Sequence, residues 1–422
     1  EAIAEAIFVA TTGRPGPVVM DLPKDVQIAT TDERCGPITQ MDGYDAHPTC
    51  SFAQVRWAHE LLKGATKPVC MVGGGCKLSG ATELFRKWCE RARIPVITTL
   101  NGIGSADPDY AGWLGMPGMH GHRRCNRALT ECDLIVALGI RFDDRVTGKL
   151  TTFAPDARII HCDIDEAELS KLVKIDAALH SDLADVLIEW LPLLESDPPP
   201  DFSAWRDAAM AVGAGLSTPR PSDGDNVSPL TLLDVLATQI GRSAIVATDV
   251  GQHQMWAAQR VRPDSPYNFI TSGGAGTMGF GLPSAMGAQF ARPHDKVCAI
   301  VGDGGFQMTM AEMATIRRCN LPVKILVMDN KYLGMVRQWQ EMFFANRYSG
   351  VDLSDNPDFA ALARVYGIEA YTLNRPEKME EMLAAWWNSD GPALLHAICQ
   401  LEENVFPMVP AGAGLADMVE SA

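Results

Sequence analysis

The chain has 422 residues, 47% of them hydrophobic and 21% charged, which is ample core for two to three globular domains. Fifty-two acidic against 36 basic side chains leave a formal charge of −16; this argues against a nucleic-acid or anionic-membrane surface, because polyanions reward clustered Lys and Arg. No apolar run approaches the roughly 20 residues that a membrane-spanning helix needs, and the 11 cysteines, scattered through apolar segments without a CxxC pair, fit small buried hydrophobes in a reducing cytoplasm.

The chain starts at Glu1 inside a helical pattern, EAIAEAIFVATTG, without the basic start or cleavage region of a signal peptide, and reads as the end of something longer. Residues 1–13 are expected to be helical with Gly13 as the stop, and PGPVVMDLP (15–23) to be a short strand closed by proline. Residues 29–50 read as a polar linker. A regular alternation then begins: helix 52–64, strand 68–75, helix 79–93, strand 94–99, helix 123–133, strands 134–140 and 158–165, helix 183–195. Strands that are continuous Val/Ile/Cys runs, each followed by a helix, mean a parallel sheet covered on both faces. Proline-rich polar stretches at 196–203 and 217–226 mark a boundary. The alternation resumes with helix 228–240, strand 244–249, helix 275–290, strand 296–301, helix 311–319, strand 323–329 and a helix–strand pair at 377–399. The expected fold is α/β, with two doubly wound parallel-sheet domains at 43–195 and 226–422, a linker at 196–225, and residues 1–42 as the tail of a further piece.

Two strands end in glycine clusters. Gly73-Gly74-Gly75 invites a dinucleotide reading, but GxGxxG needs glycine at 78, where Leu78 stands, and the next strand ends in Thr98-Thr99-Leu100-Asn101 with no acid for a ribose hydroxyl. Taken alone, the triplet is either a tight turn or a phosphate contact. The second cluster, Gly302-Asp303-Gly304-Gly305, places a carboxylate in a strand-to-helix turn. One αβ unit later, 27 residues on, stands Asn330. At that spacing both side chains leave the carboxyl edge of neighbouring strands, where open α/β sheets bind ligands. A carboxylate, an amide oxygen and one backbone carbonyl make half an octahedron of hard ligands that diphosphate and water complete for Mg²⁺; glycine amides and the helix start favour the phosphates. His120-Gly121-His122 lacks a carboxylate or thiol at a helpful spacing, which disfavours zinc there.

GDG followed by this asparagine is the motif of thiamine-diphosphate enzymes. With GRPGPVVMDLPKDV (13–26), LGMPGMHG (114–121), RFDDRVTG (141–148), DVGQHQMWAAQ (249–259), SGGAGTMGFGLPSAMGA (272–288) and YLGMVRQWQ (332–340), essentially the whole chain resembles the catalytic subunit of acetohydroxyacid (acetolactate) synthase, in its flavin-containing biosynthetic branch. The resemblance implies that Asp303 and Asn330 ligate Mg²⁺ with the Tyr332 carbonyl. It implies diphosphate and thiazolium contacts from Val250, Gly251, Gln252, His253, Gly302, Gly304, Gly305, Gly334, Met335 and Val336. Met278 is implied as the apolar prop that keeps thiamine diphosphate bent, although a methionine here otherwise reads as core filler. Contacts to FAD are implied for Arg14, Gly73, Gly74, Gly75, Thr99, Leu100, His120, Arg141, Asp143, Asp163 and Asp182. Arg145 is implied to face the substrate carboxylate, against a salt bridge to Asp143 or Asp144, and Trp339 to shape the second-substrate pocket, against plain core packing. Gly305 stands where the family usually has serine, and Asp329 where it often has asparagine.

The implied activity is decarboxylation of pyruvate and transfer of the two-carbon unit to pyruvate or 2-ketobutyrate, giving 2-acetolactate or 2-aceto-2-hydroxybutyrate in branched-chain amino-acid synthesis. The implied assembly is a homodimer or homotetramer with its active site at a subunit interface and a small regulatory subunit as a further partner. Residues 1–42 match the end of the family's pyrimidine-binding domain and its linker. That domain supplies a glutamate to the pyrimidine across the interface, and no glutamate of this sequence can be assigned the role, so the chain as given is expected to turn over pyruvate poorly. A cofactor-binding fragment without activity, a pyruvate oxidase and a glyoxylate carboligase are the alternatives; RFDDRVTG and YLGMVRQWQ weigh against the last two.

Overall fold

The computed structural model describes residues 1–32, 34, 36–218 and 226–421. Of the expected linker stretches, residues 33, 35 and 219–225 lie outside that set. Two parallel six-stranded sheets organise the chain, as the alternation of apolar runs and helices implied. The first contains β1 (Pro68–Val72), β2 (Val96–Thr98), β3 (Trp113–Gly115), β4 (Leu134–Leu138), β5 (Arg158–Asp163) and β6 (Ala177–His180), in the order 3-2-1-4-5-6. The second contains β7 (Ile245–Thr248), β8 (Phe269–Ile270), β9 (Val297–Gly302), β10 (Lys324–Asp329), β11 (Glu369–Leu373) and β12 (Ala393–Ile398), in the order 11-12-10-9-7-8. In each sheet the chain winds outward from one central pair, β1/β4 or β7/β9, so each has a switch point where a crevice opens at the strands' carboxyl ends.

Both faces of each sheet are covered by helices, which is why β1, β4, β9 and β10 are buried at every position. Helix Phe52–Lys63 is started by a reciprocal Ser51/Gln54 capping box, and with Leu183–Ser196 it seals one face of the first sheet. Trp190 of the second helix is fully buried, edge-on to Trp88 at 5.4 Å.

The structure corrects several expected elements. Residues 15–23 form no strand: neither sheet pairs with them and Val19 is 95% exposed, so the segment lacks the edge a strand requires. The helix expected from 275 starts at Gly281, because Gly276 and Gly279 take positive φ and the Asp249 carboxylate captures the Gly279 N–H. The expected linker 196–225 carries a helix, Ser203–Ala211, that buries Ala209 and hydrogen-bonds Trp205 Nε1 to the Pro68 carbonyl at 3.0 Å. Strands β3, β6, β8 and β11 went unanticipated.

The carboxyl-terminal segment returns to the first sheet's domain. Val409 N–H donates to the Met119 carbonyl (2.8 Å) and Lys149 N–H to Ala413 (3.0 Å), while Val409 and Leu415 join the first domain's core. This strap ties the end of the chain to the first domain.

Candidate active site

A cavity of about 560 Å³ lies between the domains, at the carboxyl ends of β7, β9 and β10. Strands β9 and β10 are hydrogen-bonded neighbours, with Met328 in register with Gly302. Asp303, the first residue of the helix after β9, and Asn330, just past β10, therefore reach one wall of the cavity together with Tyr332. Val250, Gly251, Gln252, His253, Met278, Gly302, Gly304 and Gly305 line it as well, as do Gly334, Met335, Val336, Trp339 and Arg145.

Local interactions fix this wall. Gln252 begins the helix Gln252–Arg260; its Nε2 donates to Gln338 Oε1 and to the Glu403 carbonyl, both at 3.0 Å, and its Oε1 accepts from Asn330 Nδ2 at 3.3 Å. The Asn330 amide is thereby turned so that its oxygen faces Tyr332, whose N–H lies 3.3 Å away. Asp249, unremarked in the sequence, accepts from the N–H groups of Val250 and Gly279 and so holds the loop that carries Met278. The same carboxylate accounts for Gly305, where a side chain would begin in hard contact with Asp249 Oδ2. Its strand-end position, equivalent to that of Asp303, was the signal that could have found it.

Burial, and then the charge of Asp329, push the Asp303 carboxyl up to about 7. Asp329, wholly buried, is held below the ordinary carboxylate range: burial opposes its charge, but donors from His396 and Lys331 outweigh it. Arg145 is 64% exposed, with a loose 3.7 Å contact to Asp144 and a 3.8 Å one to Met119 Sδ, both of little energetic weight, which leaves its guanidinium available to the cavity. Trp339 is half-buried at the wall and packs edge-on against Phe343 at 5.4 Å, so it is not simply core.

A second cavity, about 310 Å³, opens at the β1/β4 switch point. It is lined by Arg14, Gly73, Gly74, Gly75, Thr99, Arg141, Asp143, Asp163 and Asp182, and shares Thr99, Asn101, Asp143, Val146 and Gly274 with the first. Leu100 and His120, expected beside the flavin, line the larger cavity instead. Arg14 is already engaged, with Nη1 2.8 Å from Asp165 and 2.9 Å from Glu168. Asp143 and Asp182 each cap a helix with one oxygen, while burial raises Asp163 to about 6.

The residues fit the groups they are expected to hold. His253 Nε2 is buried at the first cavity without a partner among the described residues, and burial lowers this imidazole to about 4, so it is a neutral ring with one nitrogen to spare. A side chain at Gly302 would start 2.9 Å from that ring, and one at Gly304 2.6 Å from Leu333, so bare backbone forms the surface a phosphate needs. At the second cavity Gly75 approaches Gly139 closely enough that a Cβ would lie 2.6 Å from the Gly139 Cα.

His122 is a core histidine: its Nδ1 accepts from Met116 N–H at 3.2 Å, and burial lowers it to about 3. Its folded-state value lies below the unfolded one, so it stabilises fully above about 6.5 and loses that contribution as pH falls toward 3, at about 1.4 kcal/mol per pH unit. His122→Gln, which keeps an acceptor, should flatten the stability profile by that slope between pH 6 and 4. Urea unfolding at several pH values measures it, and an unchanged slope would refute the assignment.

Residues 55–189 match the family model for the thiamine pyrophosphate enzyme central domain, and residues 249–397 that for the C-terminal TPP binding domain. The acetolactate synthase isozyme 2 large subunit of Escherichia coli (strain K12) is 46% identical over 418 residues, covering 99% of this chain and 74% of that protein. The chain belongs to the acetolactate synthase large-subunit family. The probable acetolactate synthase large subunit of Methanocaldococcus jannaschii is 40% identical over 100% of the chain and 72% of its own length. The large subunit of Corynebacterium glutamicum is 41% identical over 99% and 68%. In this family member the ends of β9 and β10, which carry Asp303 and Asn330 to the larger cavity, lie within the matched TPP binding domain.

Proposed function

We propose that this chain is the catalytic subunit of an acetolactate synthase, joining the two-carbon unit of one pyruvate to a second pyruvate or to 2-ketobutyrate in the cytoplasm. The observation that carries the reading is the convergence of Asp303, Asn330 and Tyr332, all inside the TPP-binding match, on one wall of the cavity between the domains. Thiamine diphosphate, when bound, supplies a nucleophilic ring carbon and an electron sink for loss of CO₂. The protein's part is to bind and orient. Asp303 and Asn330 would hold Mg²⁺ against the diphosphate, His253 would stand beside it as an uncharged ring, and Met278 would fill the apolar space behind the thiazolium. Arg145 would pair a substrate carboxylate through its fork of donors, and Trp339 would limit the size of the second ketoacid.

The second cavity is the proposed FAD site, supported by its position at a switch point and by backbone that comes close enough to admit only glycine. A homo-oligomer with a regulatory subunit is the proposed assembly. The regulatory subunit is supported by the relatives' designation as large subunits.

Purified protein given Mg²⁺, thiamine diphosphate and FAD should bind the cofactors and convert pyruvate to acetolactate only poorly, because no glutamate of this sequence is assigned to the pyrimidine. Arg145→Ala should raise KM for pyruvate by about tenfold or more, with less effect on cofactor affinity. Cofactor binding without product would favour the second reading, a cofactor-binding chain that does not turn over.

A further inference from the structure

The two carboxylates at the ends of β9 and β10 pose a problem that the metal site alone does not solve. Asp303 and Asp329 are 2% and 0% exposed, and they lie close enough together for one amide nitrogen to reach both. Facing carboxylates in a buried site repel unless donors come between them. Asp329 is well supplied: Lys331 gives Nζ at 2.9 Å and its N–H at 3.1 Å, and His396 Nε2 lies at 2.9 Å. Asp303 receives the Gly304 N–H of its own helix on Oδ1 at 2.9 Å.

One group serves both acids. Asn356 Nδ2 donates to Asp303 Oδ2 at 2.8 Å and to Asp329 Oδ1 at 3.0 Å. Its amide cannot be turned round without loss, because Oδ1 accepts from Gln307 Nε2 at 2.8 Å. The loop that carries it is pinned to the segment that carries Tyr332: Leu333 N–H donates to Val351, Leu353 N–H to Lys331, both at 2.9 Å, and Tyr332 bridges Asp352.

We propose that Asn356 is a positioning residue for the cation site, its two amide hydrogens tying Asp303 and Asp329 apart so that Asp303 alone presents a carboxylate to the metal. Asp329 is thereby left to its partners behind, the Lys331 ammonium and the hydrogen bond with His396, and kept out of the coordination shell. The inference rests on the proposed Mg²⁺–thiamine diphosphate site and names what orients its charged ligand.

The test is a Mg²⁺ titration of the full chain at fixed thiamine diphosphate, followed by tryptophan fluorescence, with thermal unfolding measured alongside. Wild type must first show Mg²⁺-dependent binding; its absence there would overturn the metal reading and this inference together. Asn356→Ala should raise the half-saturating Mg²⁺ concentration by about tenfold or more, the usual worth of a charge-assisted hydrogen bond, while saturating Mg²⁺ restores cofactor binding. Adding Asp329→Asn should recover most of that loss, because the unparked charge is then gone. A merely structural role would lower thermal stability and cofactor affinity alike, with no recovery in the double variant. Asn356→Ser, which keeps a polar side chain in the loop, carries the same expectation if the alanine variant does not fold. A wild-type Mg²⁺ requirement in the single variant, or a loss that Asp329→Asn leaves untouched, would overturn the proposal.

Discussion

Asp303→Ala is expected to abolish Mg²⁺-dependent binding of thiamine diphosphate while leaving the fold intact. A hard divalent cation takes oxygen ligands, and of the proposed protein set, Asp303, Asn330 and the Tyr332 carbonyl, only Asp303 brings charge. The variant should not unfold, since burial and the neighbouring Asp329 already oppose ionisation of this carboxyl, raising it to about 7. Removing it relieves that repulsion. Wild type should gain thermal stability from Mg²⁺ with thiamine diphosphate, about 2.7 kcal/mol at a hundredfold excess over Kd. The variant should gain nothing at the same concentrations. Calorimetric titration gives the direct reading, and unchanged binding in Asp303→Ala would remove the metal assignment and leave the cavity without its anchor.

This site was legible because its key spacing is local to one αβ unit. A strand, a helix and the next strand bring residues 27 apart in sequence to adjacent edges, and the β9/β10 register carries that out. Fully buried parallel strands were equally legible, since continuous apolar runs have few other uses. What escaped was the short or the distant. A two-residue strand such as β8 has no period to detect. The proline-closed run at 15–23 has strand composition, but its pairing depends on an edge that the run itself does not encode. The loop before Gly281 looked helical because its methionine, alanine and phenylalanine suit helices, and only the hydrogen bond from Gly279 to Asp249, 30 residues away, shows why the chain stays open there. Asn356 lies 53 residues from Asp303, in a loop whose position is set by pairing with Lys331–Leu333. No spacing rule reaches it. Polar bridges of this kind are tertiary facts.

The second large effect is expected at Gly75, where alanine should eliminate FAD binding and spare the thiamine diphosphate site. Strands β1 and β4 flank the switch point of the first sheet, and the turns that follow them touch through backbone. Gly73 N–H donates to the Leu138 carbonyl at 3.0 Å, and Gly75 N–H to Gly139 at 3.1 Å. An alanine Cβ at 75 would sit 2.6 Å from the Gly139 Cα and 3.1 Å from its carbonyl oxygen, and neither is the end of a flexible side chain. The two turns must separate, breaking the Gly75 hydrogen bond and displacing the wall formed by Gly73, Gly74 and Arg141. Overpacking of this kind costs about 1–3 kcal/mol, and that strain falls on the surface that would meet the flavin. Gly80→Ala is the control: its φ of +65° makes alanine unfavourable, but a Cβ there meets open space, so it should cost about 1 kcal/mol of stability and keep the flavin. Flavin absorbance after purification, with Mg²⁺-dependent tryptophan quenching by thiamine diphosphate as the second readout, separates the two sites. If Gly75→Ala emerges yellow at wild-type stoichiometry, the β1/β4 crevice is not where FAD binds.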